Sequence, residues 1–299
     1  MLVAKKSLPG RLFGLLVFLQ GALIVTGGAV RLTGSGLGCP TWPECTPGSY
    51  TPVPYQAEGA LHAWIEFCNR LLTFVLLFTA VAALIVAIKL SKNAVMKTRV
   101  RILAALQLLG ILGQGVLGGI TVLTDLHPIP VASHFLLSIF LIAGALSLRF
   151  EMIGISREKV EGLIATLIPI LLWLTLLVLI IGTVVTGSGP HAGDENAKRF
   201  ALDPKSVSWL HADFVIALLV LSTILWLLIK QSGSAILTRK IQIFLLIAFA
   251  QGGIGYIQYL TGLPEIIVGA HLLGATLVWG SAWSLIKHSG SGFRFRKVN

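Results

Sequence analysis

Charge is what this sequence has least of. Only 12% of its 299 residues are Asp, Glu, Lys or Arg, against about a quarter in a soluble globular chain, while 55% are hydrophobic. Water cannot be the main solvent of such a chain. Acidic residues are scarcer still, 12 against 23 Lys and Arg, for a net charge of +11. The sequence also lacks any stretch long and polar enough for a soluble domain, and any dinucleotide-binding glycine fingerprint. Electrons or oxidant for redox chemistry would therefore come from another protein or from a bound cofactor. Cysteine is nearly absent, with three in the chain, so each one is informative.

What is present is a recurrent run of about 20 apolar residues, the length that crosses the hydrocarbon core of a bilayer. Eight such runs are predicted: Leu12 to Val30, Ala63 to Ile88, Ile102 to Leu123, Val131 to Leu148, Leu163 to Val185, Val207 to Ile229, Ile241 to Leu260 and Ile266 to Ile286. The expected fold class is an all-α membrane protein of eight transmembrane helices. Eight spans leave both termini on one side, and 18 of the 23 Lys and Arg fall there. By the positive-inside rule that side is the cytoplasm, which predicts a multi-pass protein of the cell (plasma) membrane with both termini cytoplasmic. The positive charge is thus spent on topology, and no nucleic-acid partner is expected. The basic tail Arg294, Arg296 and Lys297 reads first as a topology anchor and second as a contact to anionic membrane lipid. Lys5, Lys6 and Arg11 precede the first span as they would a signal peptide, but the run is long for one and the segment after it has a later copy.

That copy is part of an internal duplication. At an offset of 137, Gln114-Gly115 falls on Gln251-Gly252, Gly118 on Gly255, Thr124 on Thr261, Leu126 on Leu263 and His134 on His271. At an offset of 153, Thr33-Gly34-Ser35-Gly36 falls on Thr186-Gly187-Ser188-Gly189. Each half holds an even number of spans, so the halves share one orientation. The expectation is two tandem, same-orientation four-helix bundles, residues 1–150 and 151–299, each able to hold a cofactor between facing helices.

Ionisable side chains inside a bilayer are functional candidates by default. His134, His211, His271 and Asn69 stand fourth, fifth, sixth and seventh in their spans, roughly 5 to 10 Å below the outer boundary at about 1.5 Å per residue. His211 and His271 can supply both axial bonds to one haem, an arrangement suited to electron transfer. The alternative is that these histidines only hydrogen-bond across helices. His134 gains weight as the repeat partner of His271, whereas the counterpart of His211 is Asn69, a poor iron ligand. The first half thus holds one axial histidine, with His62 at the mouth of helix two as a possible substitute for the other, and an open coordination position suits a reacting haem. Glu66, one turn from Asn69, reads as a proton donor or acceptor, or else as a partner of Arg70 or Arg31. Arg31 and Arg70 read as anchors for haem propionates or as interfacial anchors. The glycines beside Thr33 and Thr186 are turn and packing residues. His127, His191 and His288 are read as solvated, and Cys68 as a packing residue. Cys39 and Cys45, in the long first outer loop, are predicted to form a disulfide, since the outer compartment permits oxidation.

At these residues the chain resembles the haem A synthase family. The resemblance is carried by the eight spans in two halves, the stretch Gly-Gly-Ala-Val-Arg-Leu-Thr-Gly-Ser-Gly-Leu-Gly-Cys ending at Cys39, the outer cysteine pair, and histidines at the outer ends of helices four, six and eight. It implies an oxidoreductase that converts a methyl group of haem O to a formyl group, making haem A for cytochrome oxidase. It also implies a haem b cofactor held by His211 and His271 in the C-terminal half, and haem O as substrate near His134 and Glu66 in the N-terminal half. Haem O synthase is the implied supplier and cytochrome oxidase the recipient, with an electron donor or acceptor that the sequence does not identify. One departure stands out: the family carries histidine three residues after the helix-two glutamate, where this chain has Asn69 followed by Arg70. Two rival functions predict different contents. A di-haem b-type cytochrome passing electrons from quinol would hold haem b only, and a duplicated-bundle transporter would hold none.

Overall fold

The computed structural model describes residues 7–56, 59–90 and 94–290. Lys5, Lys6, Arg294, Arg296 and Lys297 lie outside the described residues. The described residues form eight helices, α1 (Leu8–Leu32), α2 (Ala60–Leu90), α3 (Ala94–Leu123), α4 (Pro128–Ile153), α5 (Gly162–Ser188), α6 (Pro204–Gln231), α7 (Ala235–Leu260) and α8 (Glu265–His288). All eight are long and apolar enough to cross a membrane, and no β-strand occurs among the described residues. The chain is a multi-pass membrane protein.

Every helix outruns its apolar stretch, for a local reason. Helices end where capping permits, and polar side chains outside the apolar run supply the caps. Ser7 accepts from the Gly10 amide at the start of α1, Asp203 from the Ser206 amide at the start of α6, and Ser234 from the Leu237 amide at the start of α7. Prolines at or near the first helical position open α1, α4 and α6, where a missing N–H costs nothing. Inside the helices, buried hydroxyls donate to carbonyls one turn back, Thr79 to Val75 and Thr175 to Leu171 among them. These hydroxyls are thereby not left to face apolar surroundings without an acceptor.

Helix contacts form two closed rings, α1–α2–α3–α4 and α5–α6–α7–α8. The rings meet along a seam of α1, α4, α5 and α8. Two indoles stitch it: Trp279 Nε1 donates to the Ile139 carbonyl at 2.6 Å and Trp283 Nε1 to Ser147 Oγ at 2.8 Å. One apolar cluster fills the first ring around Phe13, Leu16 and Ile111; the other fills the second ring and the seam around Phe244, Leu225 and Trp279. Large apolar side chains such as Phe78, Leu246 and Phe249 stand exposed on the outside, as helices facing lipid require.

The duplication extends to backbone detail. Leu126 and Leu263, equivalent in the repeat, both adopt positive φ, 56° and 63°, a region leucine rarely enters. Each sends its amide to an equivalent carbonyl, Leu126 to Thr121 and Leu263 to Gln258. Each carries the chain from one helix into the next through the same turn.

Candidate functional site

The residues singled out in the sequence gather at the end of the helices opposite Ser7 and Gly290, here called the far end. Because the helices begin before their apolar runs, the four candidates lie deeper along them than the apolar spans imply. His134, His211 and His271 are the seventh, eighth and seventh residues of α4, α6 and α8, and Asn69 is the tenth of α2.

Each of the four is set against a glycine of the preceding helix. A methyl group added at Gly255 of α7 would lie 2.9 Å from Cε1 of His271, one at Gly182 of α5 would lie 3.3 Å from Cε1 of His211, and one at Gly118 of α3 would lie 3.4 Å from Cε1 of His134. At Gly27 of α1 the neighbour is Nδ2 of Asn69, at 3.9 Å. The glycines, lacking Cβ, leave room for these side chains between closely packed helices. The backbone at the two repeat-related histidines is held by equivalent glutamines. Gln114 Nε2 donates to the His134 carbonyl at 3.1 Å, and Gln251 Nε2 to the His271 carbonyl at 2.7 Å.

Nδ1 of His134, His211 and His271 is buried without a hydrogen-bond partner. The Val178 and Gln251 carbonyls flank the His211 and His271 rings but lie outside hydrogen-bond geometry with Nδ1. A ring nitrogen without a partner in a helix bundle is costly; at His211 and His271 a carbonyl of the preceding helix stands nearby, whereas at His134 none does. With Nδ1 closed off and Cε1 against glycine, the open edge of each half-buried ring is the one carrying Nε2, the atom suited to an axial iron bond. His211 and His271 lie close enough to interact electrostatically, so the structure brings this pair together. Among the described residues no three His, Cys, Asp or Glu form a group that could hold a metal ion.

At the far end of the first ring the Cys39–Cys45 disulfide is formed, with both cysteines fully buried. Its loop is fastened to α2 by Glu66. Glu66 Oε2 accepts from the Cys39 amide at 2.7 Å, while Oε1 accepts from Arg70 Nε at 3.0 Å and Nη2 at 2.6 Å. Arg70 reaches on to the carbonyls of Cys39, Thr41 and Glu44. Its guanidinium therefore spends its donors on Glu66 and this loop, and the pairing of Glu66 with Arg70 is the one formed. Glycine again makes the fit: a side chain at Gly38 would strike the backbone of His62 and Ala63, and one at Gly119 would strike the Trp42 indole. The loop thus lies on α2 and touches α3 one residue from the glycine that backs His134.

Other candidates fall elsewhere. Glu66 and Asn69 are one turn apart but turn to different partners, since Thr26 on α1 donates its hydroxyl to Asn69 Oδ1 at 2.7 Å. His62 is at the mouth of α2, with Nδ1 2.8 Å from Ser35 Oγ, and does not reach the level of His134. Arg31 crosses the seam, Nη2 donating to the Thr186 carbonyl at 2.7 Å, while its Nε is buried without a partner. Two histidines expected to be solvated are not. His191 Nε2 lies 2.8 Å from the Leu263 carbonyl and ties the α5–α6 loop to the α7–α8 turn; His288 is buried against Phe150 with Nδ1 at the Ser284 carbonyl. His127 caps α4 instead of standing free. Cys68, expected in packing, is exposed on α2, because its face of the helix looks away from the ring.

Sequence comparison meets this geometry from another direction. The family of cytochrome oxidase assembly proteins named COX15-CtaA matches residues 10–283, a stretch that takes in all eight helices, both rings and every candidate above. The chain belongs to this family. It is thereby a haem A synthase family member with a role in cytochrome oxidase assembly. Curated individual proteins gave no match. For a COX15-CtaA protein, four helix-to-glycine contacts at one level are the feature that sequence reading missed as such. Half of the signal was there, since Gly118 and Gln114 recur at Gly255 and Gln251 on one helical face.

Proposed function

We propose that the chain is a haem A synthase of the plasma membrane, with both termini in the cytoplasm and the far end outside. In this reading it oxidises a methyl group of haem O to a formyl group for delivery to cytochrome oxidase. The observation that carries it is the set of three half-buried imidazoles whose Nδ1 atoms have no partner and whose rings rest on glycines. These residues fit a tetrapyrrole. His211 and His271 would hold haem b in the second ring, and His134 would hold the substrate haem O in the first. Haem b, when bound there, would supply one-electron redox chemistry. Gln114 and Gln251 hold the helix segments that carry the axial histidines, and the glycines behind the rings set their depth. Arg31, cationic and with Nε unpartnered, is placed to pair with a propionate. Glu66 accepts hydrogen bonds from both the loop and Arg70, and so holds the disulfide loop over the first ring, where it excludes water from the substrate side. Conversion of the methyl group to a formyl group adds one oxygen atom and is a net oxidation, so it would draw on electrons or oxidant handled by another protein or by the bound cofactor. Haem O synthase is the natural supplier of the substrate.

The test is an absorption spectrum of the purified protein with chromatography of its extracted haems, after expression with and without a haem O synthase. Haem b alone without the synthase, and haem O or haem A in addition with it, is the expected result. Haem b in both preparations would instead favour a quinol-linked cytochrome, and no haem in either a transporter.

A further inference from the structure

Of the four candidate side chains that rest on a glycine of the preceding helix at the far end, only the one on α2 lacks an imidazole. Asn69 stands to Gly27 as His211 stands to Gly182. His211 and His271 lie near enough to interact electrostatically, and His134 is the repeat counterpart of His271, so the duplication gives Asn69 the place relative to His134 that His211 has relative to His271. The chemistry at this point differs from that of the other three. A carboxamide offers iron only its weakly ligating oxygen, and here that oxygen already accepts the Thr26 hydroxyl bond at 2.7 Å. What remains is the amide nitrogen, a donor with no lone pair for a metal, on the side of Gly27. His62 does not take over the axial role, because it lies seven residues nearer the mouth of α2 with Nδ1 at Ser35.

We propose that Asn69 is a positioning residue of the first ring: oriented by Thr26, its amide nitrogen donates a hydrogen bond toward the axial face opposite His134, so that the tetrapyrrole bound there has one protein ligand and one open face. This rests on the two-site reading above and adds to it. The second ring holds its iron saturated by two imidazoles, and the first holds it accessible. A hydrogen-bond donor beside an open axial position favours an incoming polar ligand over a sixth protein bond. At this position the two halves of the duplication differ by a single side chain, an amide where the second half has an imidazole.

The experiment uses the full chain in detergent, titrated with ferric protoporphyrin IX until uptake stops, with electron paramagnetic resonance of the ferric form and resonance Raman of the ferrous carbon monoxide adduct. The expected wild-type result is two tetrapyrroles per chain, one low-spin and one high-spin, the latter alone binding carbon monoxide. Asn69→His should convert the high-spin iron to low-spin and block carbon monoxide without loss of total haem. Asn69→Leu and the milder Thr26→Val should keep the high-spin iron but shift the iron–carbon stretch in the direction of a lost donor. Two tetrapyrroles that are both low-spin in the wild type would overturn this proposal and leave the two-site reading standing. An unshifted stretch in both Asn69→Leu and Thr26→Val would likewise remove the donor role. Uptake of a single tetrapyrrole would overturn the two-site reading itself, and the proposal with it.

Discussion

Glycine and histidine act as a unit at the far end, and the size of a single methyl group tests it. At Gly255 an added Cβ meets His271 Cε1 at 2.9 Å, closer than carbon atoms tolerate, and overpacking of this kind costs about 1–3 kcal/mol. Gly255→Ala should therefore displace the ring and weaken retention of the low-spin haem. Gly118→Ala, where the contact is 3.4 Å, should have a smaller effect; equal haem loss in the two variants, read from the absorption spectrum, would contradict this ordering. Glu66 makes a second case. Its two oxygens accept from three donors, and glutamine would turn an N–H2 group against either Cys39 or Arg70. Glu66→Gln should keep haem b bound and stop haem A formation, measured as extracted haem A; unchanged activity would remove Glu66 from the mechanism. The carboxylate and its arginine were visible in the sequence as an i, i+4 pair, but that the carboxylate would fasten a disulfide loop was not. The Cys39 amide comes from 27 residues upstream, and no local pattern encodes that meeting.

At the scale of one helix, the apolar runs predicted the existence of all eight elements and missed their ends by up to eight residues, because caps are made by polar residues outside the run. Asp203 shows how such an end is held. The Ser206 hydroxyl and amide both donate to its carboxylate and hold its pKa below the usual carboxylate value. A depressed folded-state pKa means that the cap stabilises α6 above the ordinary carboxylate range and loses its effect as pH falls through the lowered value. Asp203→Asn, a comparably good cap without a charge, should leave the thermal midpoint near neutrality almost unchanged and flatten its decline in acid. An acid branch as steep as in the wild type would show that other carboxylates govern it.

For the whole molecule, the seam between the rings is where tertiary structure outruns the repeat. Trp279 and Trp283 bond to Ile139 and Ser147 on α4, and the equivalent positions in the first half, Ile142 and Leu146, are not aromatic. Trp279→Phe should lower the melting temperature in detergent by an amount matching about 1 kcal/mol for the lost bond, with the haem spectrum unchanged; a spectral change would mean that the seam also sets the axial histidines. The amino-acid sequence by itself determined the solvent of this protein, the number of its spans, its duplication and the identity of its axial candidates. All of these follow from composition and periodicity, which a linear chain carries openly. Tertiary structure decided which groups are already engaged. It bound Arg70 and Glu66 to the loop, Asn69 to Thr26 and His191 to Leu263, and left three ring nitrogens without partners. Those outcomes depend on which helix faces approach within a few ångströms, and that is set by glycines acting at a distance in the chain from the residues they accommodate.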